Sequence, residues 1–188
     1  MEAIGSRCVY TGYICADIPQ RTGLRREILV SAGGGAAGHG LIAAALEARL
    51  HCRAANAPWT LVTGPLTAMS PAVDGVTMVK SLPDFRARLA NAAVSISQAG
   101  YNTLIETVKA RTPAIVVPFE TDREQEQVTR ARAFVDLGFV RMMRSKMLEP
   151  HALARLIDAT VGSTPPTAAI DFNGGQGTVR TVKAVLAR

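Results

Sequence analysis

Glu27-Ile28-Leu29-Val30-Ser31 runs through Ala32 into Gly33-Gly34-Gly35, and an Ala/Leu-rich stretch from Gly40 to Ala55 follows. A short apolar run that breaks into glycines and re-emerges with helical spacing reads as strand, tight turn, helix. The alternation then repeats along the chain. Strands are expected at 59–63, 76–79, 93–97, 114–118 and 139–142, and helices at 84–92, 103–110, 122–137, 150–161 and 178–187. Short apolar strands separated by amphipathic helices require right-handed crossovers. The expected fold is therefore α/β, a Rossmann-like three-layer αβα sandwich with a mainly parallel sheet, spanning residues 28–188. Residues 1–27 carry little periodicity, contain Gly5, Gly12, Pro19 and Gly23, and read as a linker.

At 188 residues, 48% hydrophobic and 19% charged, the chain is sized and composed for one folded domain. Cys8, Cys15 and Cys52 have neither C-x-x-C spacing nor an even count, so no zinc site or disulfide framework is indicated and a cytoplasmic setting fits. The apolar segment Leu41–Leu46 is cut off by Glu47 and Arg49, too early for a membrane span. A net charge of +6 favours an anionic partner, whether a nucleotide diphosphate or a membrane surface met peripherally. Nucleic acid is disfavoured, because aromatic residues make up only 5% of the chain and stacking platforms are scarce.

In open parallel sheets ligands bind beyond the carboxyl ends of the strands, which directs attention to the turns near Gly33, Leu82, Gln98 and Phe119. Gly33-x-Gly35-x-x-Gly38 has the spacing and the strand-to-helix context of a phosphate-binding turn, where Gly34, Gly35 and Gly38 let a diphosphate approach the helix N-terminus. The same glycines also suit close strand–helix packing. His39 reads either as a donor to phosphate or as an exposed loop residue. A nicotinamide site would want an acid after the second strand, and Thr63-Gly64-Pro65 stands there instead.

The second informative stretch is Ser97-Gln98-Ala99-Gly100-Tyr101-Asn102-Thr103-Leu104-Ile105-Glu106, joining a buried strand to a helix. Thr103-x-x-Glu106 has capping-box form, which offers Glu106 a purely structural role. The next turn, Pro118 to Gln127, is dense in polar residues. Small-Gly-x-x-Thr-x-x-Glu followed by Pro113-Ala114-Ile115-Val116-Val117-Pro118-Phe119 and an acid/Gln pair resembles the carboxyl-terminal domains of GT-B glycosyltransferases, especially the family-28, MurG-like type. The likeness runs from about Ile28 to Val161 and is strongest over Ser97–Gln127.

That resemblance implies a hexosyl- or N-acetylhexosaminyl-transferase domain, one half of a GT-B fold, binding a UDP-sugar or related nucleotide sugar as substrate, with no metal and no cofactor. Glu106 would grip the ribose hydroxyls and Gly100 and Thr103 would lie beside the diphosphate, while Gln98 and Phe119 belong to the two turns that would face the donor. Glu126 and Gln127 match the pair that holds the donor sugar; Glu124-Gln125 repeats the dipeptide, but Thr121-x-x-Glu124 has capping-box form and so accounts for Glu124. Leu82 matches a position whose main chain reads the base, and it reads equally as an apolar anchor. Gly34-Gly35-Ala36 departs from the family's Gly-Gly-Ser, which removes a hydroxyl and leaves the backbone donors.

Val9–Tyr13 resembles an interdomain crossover. The acceptor-binding half and its catalytic base are expected to come from an N-terminal GT-B domain or a partner subunit, without which the chain would be inactive. Non-catalytic nucleotide binding in a regulatory module, a fragment of a GT-B-like sugar-nucleotide epimerase, and a nicotinamide dehydrogenase motivated by the glycine spacing are the alternatives.

Overall fold

The computed structural model describes residues 8–33, 38–65, 72–167 and 169–187. In chain order the elements are β1 (Glu27–Ser31), α1 (His39–Arg49), β2 (Trp59–Val62), β3 (Val76–Val79), α2 (Phe85–Asn91), β4 (Ala92–Ser97), α3 (Tyr101–Ala110), β5 (Ala114–Val116), α4 (Glu126–Asp136), β6 (Arg141–Met142), a 3-10 turn (Ser145–Met147), α5 (Pro150–Thr160) and α6 (Gly174–Leu186). The six strands form one sheet in the order β3-β2-β1-β4-β5-β6. Every pairing in it is parallel. This is the doubly wound order whose reversal falls between β1 and β4, and ligands of such sheets sit at that switch point.

The chain divides into two compact units, 18–166 and a second that joins 1–17 with 167–188. The first holds the sheet. Along β1 the side chains alternate between faces: Ile28 and Val30 enter a core shared with α1 and α5, and Leu29 enters a smaller cluster under α2. Residues 18–27, expected as linker, are fastened to this unit. The Thr22 N–H donates to Asn91 Oδ1 at 3.0 Å, and the Arg25 guanidinium donates to the Ala92 carbonyl at 2.9 Å.

In the second unit α6 starts at Gly174, four residues earlier than periodicity predicts. Local contact explains it. A Cβ on Gly174 or Gly177 would collide with the main chain of Gly12 or Thr11, so the glycines let this helix lie directly on the 11–13 segment. The Gly174 N–H donates to the Tyr13 carbonyl and the Tyr13 N–H to the Asp171 carbonyl, at 3.0 and 2.8 Å.

Three other boundaries move for physical reasons. Helix α1 stops at Arg49 rather than running to Ala55; a turn follows, held by the Trp59 indole donating to the Ala54 carbonyl and the Arg53 N–H donating to Asp158. Helix α4 begins only at Glu126, since 121–124 closes on itself: the Thr121 N–H bonds the Glu124 carbonyl and the Glu124 N–H bonds the Thr121 hydroxyl, both at 3.0 Å. The expected strand over 139–142 pairs only at Arg141–Met142; Phe139 is instead buried edge-on against Phe134. Among the described residues no helix is long and apolar enough to cross a membrane.

Candidate functional site

Register places three strand ends in a row: Ser31 of β1 opposite Ser97 of β4, and Ser97 opposite Val116 of β5. The turns that leave them are therefore neighbours. Of the glycine turn, Gly34 and Gly35 lie outside the described residues. Gly33 adopts φ +71°, and a Cβ there would come within 3.0 Å of Gln98 Oε1, which puts the β1 turn against the side chain leading out of β4. Gly38 has an ordinary φ of −76°, but an added Cβ would stand 2.5 Å from the Ala32 Cβ and 2.6 Å from its carbonyl oxygen. Its role is close strand–helix approach. His39 opens helix α1 instead of lying in the turn, and it is exposed.

At the end of β4, Ser97 is buried and its hydroxyl has no hydrogen-bond partner among the described residues. Gly100 caps α3 in an extended conformation, with no side-chain cap. The N–H groups of Asn102 and Thr103 in the first turn therefore have no intrahelical acceptor, and the positive end of the helix dipole faces the turn. That is an anion-ready helix start beside Gln98 and Gly33.

Glu106 is not the helix cap its capping-box spacing suggested. The helix already begins at Tyr101, so Thr103 sits inside the first turn and Glu106 in the second. Glu106 is 8% exposed, and its Oε1 accepts from Arg86 Nε of α2 at 2.7 Å, a single bond that occupies one oxygen. Leu82 lies on the chain leading to α2, half-buried against the cluster around Leu29 and Leu89, and its carbonyl accepts the Phe85 N–H at 3.2 Å. Both features fit an apolar anchor.

The β5 turn is held from within and from both sides. Gln127 Oε1 accepts the Phe119 N–H at 3.0 Å, leaving the Gln127 amide as a donor. Arg130 ties this turn to the one after β4: it pairs with Glu126, donates to the Ala99 carbonyl at 3.1 Å, and sets its guanidinium 5.6 Å from the Tyr101 ring centre. On the other flank Arg144 forks onto both carboxylate oxygens of Glu120, through Nε at 2.8 and 2.9 Å and through Nη2. That hydrogen-bonded cation holds the Glu120 carboxyl down to about 2.

Gln98, Gly100, Thr103, Phe119, Glu126 and Gln127 thus gather around two adjoining turns, whereas Glu106 faces α2 one helical turn away. Arg86, Arg130 and Arg144 are not among the site residues expected from the sequence. Arg130 carried a local signal, four residues after Glu126 on one helix face. Arg86 and Arg144 stand 20 and 24 residues from their partners and carried none.

Known proteins resemble this chain in sequence and in fold. A model of the glycosyltransferase family 28 C-terminal domain matches residues 60–168. Over 86 residues the chain is 37% identical to the UDP-N-acetylglucosamine--N-acetylmuramyl-(pentapeptide) pyrophosphoryl-undecaprenol N-acetylglucosamine transferase of Erythrobacter litoralis, covering 46% of this chain and 21% of that protein. The like-named enzyme of Brucella anthropi is 32% identical over 78 residues, 42% of this chain and 21% of its own. The chain spans about a fifth of the length of these curated relatives. Among solved structures, MurG of Acinetobacter baumannii superposes with TM-score 0.62 at 17% identity, covering 87% of this chain and 51% of that one. A calicheamicin glycosyltransferase gives 0.61 at 18%, covering 93% and 42%. At such identities the likeness is one of fold.

Proposed function

The chain belongs to the glycosyltransferase family 28 C-terminal domains, and from that premise we propose that it is the donor-binding half of a hexosyltransferase that uses a UDP-linked sugar. The observation that carries this reading is the meeting of the β1, β4 and β5 turns at the open N-terminus of α3. A nucleotide diphosphate needs hydrogen-bond donors and positive potential for its phosphates and a carboxylate for its ribose hydroxyls. Asn102 and Thr103 N–H groups supply the first, and Glu106 Oε2, left open by Arg86, supplies the second. The Gln127 amide and Glu126 at the start of α4 face the sugar. As the bond from the anomeric carbon to the diphosphate breaks, negative charge grows on the leaving diphosphate, where the helix N-terminus stabilises it.

The base that deprotonates the acceptor hydroxyl belongs to another half. The relatives are far longer than the matched segment, and α6 supports a partner surface: Val179, Val182, Val185 and Leu186 recur at helical spacing and are each half exposed or more. Val9, Tyr10 and Ile14 of the same unit are also exposed. A contiguous apolar stripe of this kind is what an acceptor domain would cover. Calorimetric titration with UDP, TDP and GDP tests the donor assignment. Binding of UDP in preference to the others is expected, and silence toward all three at millimolar concentration would defeat the proposal.

A further inference from the structure

At the opposite end of the sheet lies a cavity of about 580 Å³, lined by Arg21, Leu24, Arg25, Arg111, Val161 and Pro165 among others. It opens at the amino ends of β4 and β5, beside Ala93 and Pro113, and at the carboxyl end of α3. Helix α3 has ten residues, so the cavity is removed from the helix start by about 15 Å. It shares no residue with the candidate donor site.

Its electrostatics are unbalanced. Among the described residues no Asp or Glu lines it. Arg25 spends its donors on neutral acceptors: the Ala92 carbonyl at 2.9 Å, the Thr112 hydroxyl at 3.2 Å and the Arg111 carbonyl at 2.9 Å. Arg111 donates to the Pro165 carbonyl at 3.0 Å. Arg21 is exposed and pairs with no described carboxylate. Two helix ends, those of α3 and α5, present carbonyls here, each equivalent to about half a negative charge. Three guanidiniums against them leave a surplus of about two positive charges. Burial, then the charges of Arg21 and Arg111, push the Arg25 pKa down, as expected of a cation crowded by its like. Arg111 also holds φ +50° at the C-cap of α3, a conformation glycine would take without strain; the chain keeps a cation there.

The remaining wall is apolar. Leu24 is 79% exposed and Val161 43%. The volume lies within the usual range of small-molecule sites, far more than a bare ion fills. We propose that this cavity is a second ligand site, which takes a phosphate-class anion carried on an apolar body. The phosphate sits among Arg21, Arg25 and Arg111, and the apolar part lies on Leu24, Val161 and Pro165. Such a ligand comes either as a free phosphorylated metabolite or as the phosphate of a membrane lipid, and the recognition chemistry is the same.

The test uses octyl phosphate as the probe, titrated calorimetrically into the full chain, with octyl glucoside as the neutral counterpart. Octyl phosphate is expected to bind one-to-one and octyl glucoside not to bind. Arg21→Glu removes no hydrogen bond among the described residues and should leave the urea melt unchanged, while lowering octyl phosphate affinity by about tenfold or more. UDP affinity should be the same in this variant, which separates the site from the donor turns. Co-sedimentation with vesicles of phosphatidylcholine and phosphatidylglycerol in equal parts distinguishes the sources: pelleting that Arg21→Glu abolishes assigns the lipid, and octyl phosphate binding without pelleting assigns the metabolite. Absent octyl phosphate binding, equal binding of the glucoside, or an Arg21→Glu affinity matching the parent would each overturn the proposal.

Discussion

Replacing Glu106 by alanine separates a binding role from a structural one, because the two predict losses of different size in different measurements. Glu106 is 8% exposed, but its one partner among the described residues, the Arg86 guanidinium at 2.7 Å, has a side chain that is 51% exposed. An ion pair half open to water contributes at most about 1 kcal/mol. Without Glu106 the Arg86 side chain still stands half open to water, so no charge is stranded in the interior. The stability cost of Glu106→Ala is therefore expected at about 1 kcal/mol or a little more once the small void is counted.

Binding is another matter. A carboxylate that accepts from one or both ribose hydroxyls makes charge-assisted hydrogen bonds worth about 1.5–3 kcal/mol each. The loss of one such bond corresponds to a fall in UDP affinity of about 10-fold to 150-fold, and the loss of both to more. Glu106→Gln keeps the shape and one acceptor oxygen but no charge, and should fall between. Arg86→Ala leaves the carboxylate in place and should shift affinity by about fivefold at most. Urea melts and calorimetric titrations on the same preparations supply both numbers. An alanine variant that binds UDP within about threefold of the parent would refute the ribose assignment. So would an affinity loss that Arg86→Ala reproduces in full.

Three further outcomes follow from the geometry. Gly38→Ala forces a Cβ to 2.5–2.6 Å from Ala32; overpacking of this kind costs about 1–3 kcal/mol, to be read as a lower urea midpoint at unchanged slope, and an undiminished midpoint would show that α1 shifts freely. Glu120 has its pKa lowered from 4.5 to about 2 by Arg144. Its folded value lies below its unfolded one, so the stability it contributes is present above pH 4.5 and is lost as pH falls toward about 2; Arg144→Gln should flatten the acid limb of a stability–pH curve in that window, and superimposable limbs would contradict the coupling. Arg130→Ala removes the donor to the Ala99 carbonyl, at a cost of about 1–2 kcal/mol; hydrogen exchange should quicken in the turns after β4 and β5 and not in β2, whereas uniform quickening would mean that Arg130 supports the fold as a whole.

Element type was legible where a local pattern decides it, and boundaries were not where a distant segment decides them. The apolar runs of β1, β2 and β4 are buried on both faces, so their strand character shows in composition alone. The start of α6 depends on the main chain of residues 11–13, over 160 positions earlier, and no window around Gly174 contains it. Thr103-x-x-Glu106 shows how a motif misleads. The spacing of a capping box recurs wherever threonine and glutamate fall three apart, and only the true helix start, at Tyr101, tells a cap from two residues in the first turns. The candidate residues of the turns stand out through turn composition and family likeness. Arg86 and Arg144 do not, since an ion pair between separate elements leaves no periodic trace.

The glycine turn carries less functional information than its spacing suggests. Both described glycines of Gly33-x-Gly35-x-x-Gly38 have structural reasons to be there: Gly33 for a positive φ beside Gln98, Gly38 for contact with Ala32. Any doubly wound domain with a tight first crossover would favour the same residues, whichever nucleotide it holds. The discriminating position is the end of β2. A dinucleotide site places a carboxylate there for the ribose, and here Thr63 occupies it, fully buried, its hydroxyl turned to the carbonyls of Gly64 and Val79. With that acceptor gone, a ribose bound near this switch point needs a carboxylate from elsewhere. The helix that follows β4 has one acidic residue, Glu106, and it is buried. The case for a nucleotide sugar therefore rests on the second half of the sheet, and it stands or falls with the titration of Glu106→Ala.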